Sequence, residues 1–170
     1  MTPGYDWKNY DWKKLQNGSD IRGVALEGVE GEAVNLTADV AYRLGQAFVT
    51  WLSTQQGKPT HELVVSVGRD SRLSGPALKA GLADGMMSLG VRVMDFAIAS
   101  TPAMFMSTIT TGYNCDGAIM LTASHLPFNR NGLKFFTAQG GLNKPDIASI
   151  LALAEGNPFE TTTEQGDLTE

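Results

Sequence analysis

A hydroxyl, an imidazole, a guanidinium and an ammonium fall close together in the segment Thr122-Ala123-Ser124-His125-Leu126-Pro127-Phe128-Asn129-Arg130-Asn131-Gly132-Leu133-Lys134. They lie at or beyond the end of an apolar run, CDGAIMLTA (115–123), that reads as a buried strand. Phosphoryl transfer needs an oxygen held in line and cationic groups spread over the charge that develops on the moving group, and these residue types supply both. Serine followed by histidine also fits an activated hydrolase nucleophile. Against that, adjacent residues rarely bring imidazole and hydroxyl into productive geometry. The G-x-S-x-G elbow is also absent, and no Asp–His pair is placed to activate the serine. The plain alternative is a polar loop in which Ser124 bonds local backbone and His125 caps a nearby carbonyl.

Other elements must present that loop. SDIRGVA (19–25) reads as a strand, followed by a Gly/Glu-rich turn around GVEGE. From Thr37 to about Ser53, Val40, Leu44, Phe48 and Leu52 recur every four residues, an amphipathic helix with Thr37 as its N-cap; Gly57, Lys58 and Pro59 break it. ELVVSVG (62–68) has the character of a buried parallel strand. A second helix starts near Ser74, with Pro76 in its first turn, and ends at Gly90. VRVMDFA (91–97) is a third strand, and Thr101-Pro102 opens a third helix ending near Gly112. CDGAIMLTA is apolar on both faces and therefore central. Asn131-Gly132 reads as a tight turn feeding the strand LKFFT (133–137), and a last helix runs from Lys144 or Pro145 to Glu155. This alternation predicts an α/β fold, a three-layer α/β/α sandwich whose mixed, mostly parallel sheet has helices on both faces. In such sheets ligands gather beyond the carboxyl ends of the strands, and Ser124 sits just past one.

Residues 1–18 read as an N-terminal arm whose Trp7 and Trp12 pack on the domain surface; residues 19–155 form the domain; residues 156–170 lose apolar periodicity and read as an acidic tail or a linker to a further domain. At 42% apolar and 18% charged residues the chain is globular in composition rather than disordered. Its length allows a core without disulfides or a structural metal. A net charge of −5 argues against duplex binding, which needs clustered Lys and Arg, while a few local cations suffice for a small anionic substrate. Cys115 is the only cysteine, so no internal disulfide forms; at the start of an apolar run it reads as a buried, inert thiol. No stretch has signal-peptide or membrane-span length, so the expectation is a soluble, cytoplasmic protein with neither nucleic acid nor membrane as partner.

TASHLPFNRNGLKFF resembles the active-site serine loop of the α-D-phosphohexomutases, the phosphoglucomutase/phosphomannomutase superfamily, whose usual form is T-A/G-S-H-N-P followed by N-G-x-K. SDIRG resembles that family's N-terminal segment and VGRDSRLSG its G-R-D-x-R element, in the family's order, so the resemblance covers roughly residues 18–155. It implies the first of four domains around a cleft. It implies that Ser124 is carried as phosphoserine, hands its phosphoryl group to a hexose monophosphate, and regains one from the 1,6-bisphosphate intermediate. Hexose 1,6-bisphosphate is the implied activator. Mg²⁺ would bridge the phosphate on Ser124 and an Asp-rich loop as a Lewis acid. Ser124, Lys134 and Arg22 take the catalytic roles, and His125, Arg22 and Lys134 the substrate contacts.

Each residue also has a structural alternative. Lys134 could be a solvated strand-end lysine, and Arg22 a partner of Asp20. For Arg69, Asp70 and Arg72 the favoured reading is a cluster tying the loop after the second strand to its neighbours. Asp116 could anchor the Ser124 loop. Leu126 stands where the family has asparagine, and Ser19 where a tyrosine often precedes D-I-R-G. No D-G-D-G-D-R metal loop and no G-E-x-S-G-H sugar loop occurs in these residues. The expectation is therefore a domain of a longer mutase, acting with the remaining domains on a hexose phosphate and inactive alone. The alternative from another class is a non-catalytic phosphosugar-binding or regulatory module of the same fold.

Overall fold

The computed structural model describes residues 7, 9–156 and 158–170. Its elements are β1 (Gln16–Asn17), β2 (Asp20–Val24), α1 (Ala38–Gln56), β3 (Val64–Arg69), α2 (Gly75–Met87), β4 (Arg92–Ile98), α3 (Thr101–Met106), β5 (Gly117–Leu121), β6 (Arg130–Thr137), β7 (Gly140–Gly141), α4 (Lys144–Gly156) and β8 (Leu168–Thr169). Short 3-10 turns lie at Trp12–Leu15 and Thr60–Glu62. Thr37 caps α1 as expected, its Oγ1 accepting from the Val40 N–H, and Gly57 closes that helix in the left-handed region. Among the described residues no helix is long and apolar enough to cross a membrane.

The strands form one mixed sheet in the order β1-β2-β6-β5-β3-β4-β8, with β7 on β6. It is parallel from β5 through β3 and β4 to β8, and antiparallel from β1 through β2 and β6 to β5. Parallel pairing thus rules one half of the sheet only. The connection from β5 to β6 is the serine loop itself, too short for the crossover that a parallel neighbour requires, so β6 has to turn back. All five residues of β5 are buried, which confirms it as a central strand.

Helices α1, α2 and α4 share the large core on one face, while among the described residues the other face carries α3 alone, whose Met104 packs on Ala118 and Met120 of β5. The crossovers β3-α2-β4 and β4-α3-β5 travel in opposite directions along the sheet. Right-handed connections then place α2 and α3 on opposite faces. The three layers are there, but one is a single short helix. It stops at Met106 rather than near Gly112, where Thr108, Ile109 and Thr110 bring three β-branched residues in succession.

Helices α1 and α2 pack through glycine. A Cβ at Gly81 or Gly85 would collide with the carbonyl oxygen of Ala38 or Tyr42. Gly85→Ala is therefore expected to destabilise by about 1–3 kcal/mol through forced separation of the helices, outweighing alanine's gain of up to about 1 kcal/mol in helix propensity. Urea denaturation reads the outcome. A rise in midpoint would mean that the helices move apart at no cost.

Three expectations need correcting. Trp12 is 1% exposed and Leu15 is fully buried, so this part of the arm belongs to the core and not to its surface. The rings of Trp7, Tyr10 and Trp12 cluster, Tyr10 meeting each tryptophan edge to face, and the Arg43 guanidinium lies over the rings of Trp7 and Phe159. Residues 1–6 and 8 of the arm lie outside the described residues. The stretch 156–170, read as tail or linker, supplies β8, which adds to the edge of β4 and is held by bonds from Thr162 N to Ser88 O and from Gly166 N to Met87 O. Finally, Asn131 and Gly132 are not a turn. They lie inside β6, with Asn131 buried and donating to Ser74 Oγ at 2.8 Å.

Candidate functional site

The carboxyl ends of β3 and β5 lie side by side, and the loops leaving them meet: Asp70 N donates to Leu121 O at 3.1 Å. Ser124 stands beyond β5 with φ +52°, in the left-handed region that few non-glycine residues occupy. A turn through such a residue costs about 1–2 kcal/mol, and the surrounding structure must over-determine it to keep it. Ser124 is exposed, and its hydroxyl has no hydrogen-bond partner among the described residues. Its backbone N–H donates to Thr122 Oγ1 at 3.1 Å, and Thr122 Oγ1 in turn donates to Asp70 Oδ2 at 2.8 Å.

Arg72 holds the turn from outside. Its Nη2 donates to Ser124 O (2.8 Å) and Leu126 O (2.9 Å), and its Nη1 to Pro127 O (2.8 Å) and Arg130 O (3.1 Å). Only a planar fork of several N–H donors can reach four carbonyls at once. Asp70 aims the fork: its Oδ1 accepts from Arg72 N at 3.1 Å, and its Oδ2 lies 3.4 Å from Arg72 Nε. Arg69 adds a bond to Asp70 O at 3.1 Å. The expectation that this cluster ties the loop after β3 to its neighbours holds, and the neighbour is the serine loop. The Leu126 substitution becomes intelligible as well. What the turn uses of residue 126 is its backbone, whose N–H donates to Ala123 O and whose carbonyl accepts from Arg72.

Arg22 and Lys134 converge on a single carboxylate. Asp20 Oδ2 lies 3.2 Å from Arg22 Nη2 and 2.7 Å from Lys134 Nζ, with the three side chains between 14% and 24% exposed. Lys134 is thus neither a fully solvated lysine nor an unpaired one, and Arg22 does form its structural pair. Strand alternation puts Lys134 on the face opposite Leu133 and Phe135, as expected. Arg22 pairs with Gly132, whose carbonyl accepts from Thr122 N, so Arg22, Gly132 and Thr122 form one row across the sheet. A Cβ at Gly132 would lie 2.9 Å from Arg22 Cγ and 2.5 Å from Ile21 O. The glycine after Asn131 is therefore the gap through which Arg22 crosses β6.

His125 is exposed beside Ser124 and makes no hydrogen bond among the described residues, so it caps no carbonyl. Asp116 does not anchor the serine loop. It sits before β5, at the strand's opposite end, accepting from Lys58 Nζ (2.8 Å) and Val64 N (2.9 Å), and it raises the pKa of Lys58. Cys115 is buried, with Sγ 3.7 Å from Met94 Sδ, and burial pushes its thiol up. Its burial is what its position in the sequence indicated.

Sequence reasoning missed Thr122, Asn131 and Glu32. Thr122 and Asn131 belong to the matching segments, where they could be read only as motif letters and Asn131 as a turn residue, and nothing in the sequence links Glu32 to residues about a hundred positions away.

The fold and site define an α/β/α domain that presents a serine hydroxyl, unpartnered among the described residues, at the carboxyl edge of its sheet, with cationic side chains alongside. The family model described as phosphoglucomutase/phosphomannomutase, alpha/beta/alpha domain I, matches residues 13–160. The chain belongs to that family. It is 41% identical over 115 residues to the phosphoglucosamine mutase of Acetivibrio thermocellus, an overlap covering 67% of this chain and 24% of that protein. It is 38% identical over 150 residues to that of Corynebacterium jeikeium, covering 85% and 32%. A phosphoglucomutase/phosphomannomutase family protein from Burkholderia thailandensis superposes with a TM-score of 0.71 at 32% identity, covering 89% of this chain and 31% of that one. The chain thus spans roughly a quarter to a third of the length of these relatives.

Proposed function

We propose that this chain is the phosphoserine-bearing domain of a mutase that interconverts hexose 6-phosphates and hexose 1-phosphates, with Ser124 as the carrier. The observation that carries this reading is the presentation of Ser124. An exposed hydroxyl without a partner among the described residues stands on a left-handed turn whose backbone is held by Arg72 and the Asp70–Thr122 pair. A side chain that must alternately accept and release a phosphoryl group needs a fixed backbone and a free oxygen.

In the forward step a hydroxyl of the hexose monophosphate attacks the phosphorus, its bond to oxygen forms as the P–Oγ bond of Ser124 breaks, and the proton of the attacking hydroxyl ends on Ser124 Oγ, which leaves as a neutral hydroxyl. The reverse transfer, from the other phosphate of the bisphosphate, restores phosphoserine, so no phosphate is consumed. Arg22 and Lys134 supply positive charge on the face of the sheet next to Thr122, and Asp20 sets their positions. His125 is free to contact phosphate or intermediate.

Mg²⁺, when bound, would supply Lewis-acid stabilisation of the transferring group. The carboxylates beside the loop are already engaged, Asp20 by Arg22 and Lys134, and Asp70 by Thr122 and Arg72. Among the described residues no group of three His, Cys, Asp or Glu could hold a metal ion. This chain's own contribution to such a site is the phosphate on Ser124. On this reading the metal carboxylates and the sugar contacts belong to the part of the relatives' length that the chain does not span.

The test is intact mass before and after incubation with glucose 1,6-bisphosphate, on this chain and on a longer protein that includes it. One added phosphate mapping to Ser124 supports the carrier role; its absence from the longer protein would falsify it.

A further inference from the structure

The serine loop is held on two sides, and its second wall comes from residues 25–36. This segment leaves β2 and returns to it. Asn35 and Leu36 N–H groups both donate to Val24 O at 2.9 Å, and Asn35 Oδ1 accepts from Val24 N at 2.7 Å, closing the segment into a loop. Its first residues grip the outgoing limb of the serine loop, with Ala25 N and Leu26 N donating to Asn129 O at 2.7 and 3.1 Å. The Phe128 ring lies against Gly28. On the return limb, Glu32 accepts from Arg130 Nη2 at 2.7 Å and from Asn129 Nδ2 at 2.5 Å. Of the acidic residues on this loop, Glu27 and Glu30 are exposed, and Glu32 is the one turned onto the serine loop.

We propose that Glu32 is a positioning residue for Ser124, locking Asn129 and Arg130 against the 25–36 loop so that the turn between them and β5 keeps the hydroxyl presented. Its meaning for phosphoryl transfer rests on the carrier reading above; the lock itself does not. Arg72 and Glu32 hold complementary parts of the same loop. Arg72 takes the carbonyls of residues 124, 126, 127 and 130, and Glu32 takes the side chains of 129 and 130. Neither contact touches the hydroxyl, which stays free to react. The lock needs the carboxylate in its anionic form. Bonds from Arg130 and Asn129 hold the Glu32 pKa below the ordinary glutamate value. A depressed carboxylate pKa means the lock is intact at neutral pH and opens as pH falls through that lowered value. Arg130 is the charged group facing Glu32 from the serine loop, and Glu27 and Glu30 share its own loop.

The experiment compares this chain with Glu32→Ala and Glu32→Gln by amide hydrogen exchange and NMR titration, and carries the same substitutions into a longer protein that includes it to follow phosphoryl uptake from glucose 1,6-bisphosphate. Opening a loop held by charge-assisted bonds should speed exchange at the Leu126 and Arg130 amides by about tenfold in Glu32→Ala, with β5 amides unchanged. In the unaltered chain the Asn129 side-chain amide should report one carboxylate titration, which vanishes in Glu32→Gln. Phosphoryl uptake should slow by about tenfold at neutral pH, and the difference should close as pH falls through the Glu32 titration. Unchanged exchange at Leu126 and Arg130 overturns the lock. Faster exchange with no change in uptake overturns its positioning role. Faster exchange in a protein whose longer, unaltered form takes up no phosphate leaves the lock standing and sinks the carrier reading instead.

Discussion

Ser124→Ala is expected to abolish phosphoryl uptake from a hexose 1,6-bisphosphate while leaving the fold as it is. The hydroxyl is exposed and bonded to nothing in the described structure, so its removal should shift stability by no more than about 0.5 kcal/mol. The left-handed backbone is as unfavourable for alanine as for serine. A second substitution separates backbone from chemistry. Ser124→Gly removes the Cβ that makes φ +52° costly, and should stabilise by about 1 kcal/mol, or about 2–4 °C in Tm, while also losing uptake. A thermal scan on the three forms of this chain, and intact mass on the same three forms of a longer protein that includes it, make the comparison. Persisting phosphate in Ser124→Ala would place the carrier elsewhere and undo the functional reading. A destabilised Ser124→Gly would mean that the turn relies on contacts of the serine side chain.

Arg72→Ala should be the most damaging single change among the charged residues of the site. Four carbonyls lose their donor together, and Asp70 loses the cation that shares it with Thr122. The carbonyls of Ser124 and Pro127 can turn to water, while those of Leu126 and Arg130 are partly buried. With the Arg72 side chain only 13% exposed, the loss is about 2–4 kcal/mol. For a domain of this size that is about 4–16 °C in Tm. Arg72→Lys should recover little, since a single ammonium cannot span four acceptors in fixed directions. Uptake at Ser124 should fall further than stability alone accounts for when measured well below the melting temperature, because the turn that presents the hydroxyl loses its frame. An Arg72→Ala protein that melts like the parent and takes up phosphate at the parental rate would show that the grip is incidental.

Part of this arrangement is legible in short stretches of sequence. The every-fourth-residue apolar pattern of Val40, Leu44, Phe48 and Leu52 and the Thr37 cap are local signals, and α1 lies where they put it. The unbroken apolar run before Ser124 marks a strand buried on both faces, and β5 is one. Two features mislead for a common reason. Asn131-Gly132 has turn composition, but its glycine is required by Arg22 crossing from the neighbouring strand. The polar stretch after residue 156 has linker composition, but its backbone supplies bonds to α2 and β4, for which side-chain hydropathy is no guide. In both places the deciding partner is distant in the chain.

By itself the sequence determined the α/β alternation, the central strand with its serine loop, and the resemblance of three segments in order, because periodicity, capping and motif are written in neighbouring residues. Tertiary structure alone decided how the loop is held. Arg72 meets residues more than fifty positions away, Glu32 meets Arg130, and Asp20 joins Arg22 to Lys134 across two antiparallel strands. Such contacts depend on strand order and register, and those are set by which apolar faces must be buried together in one core.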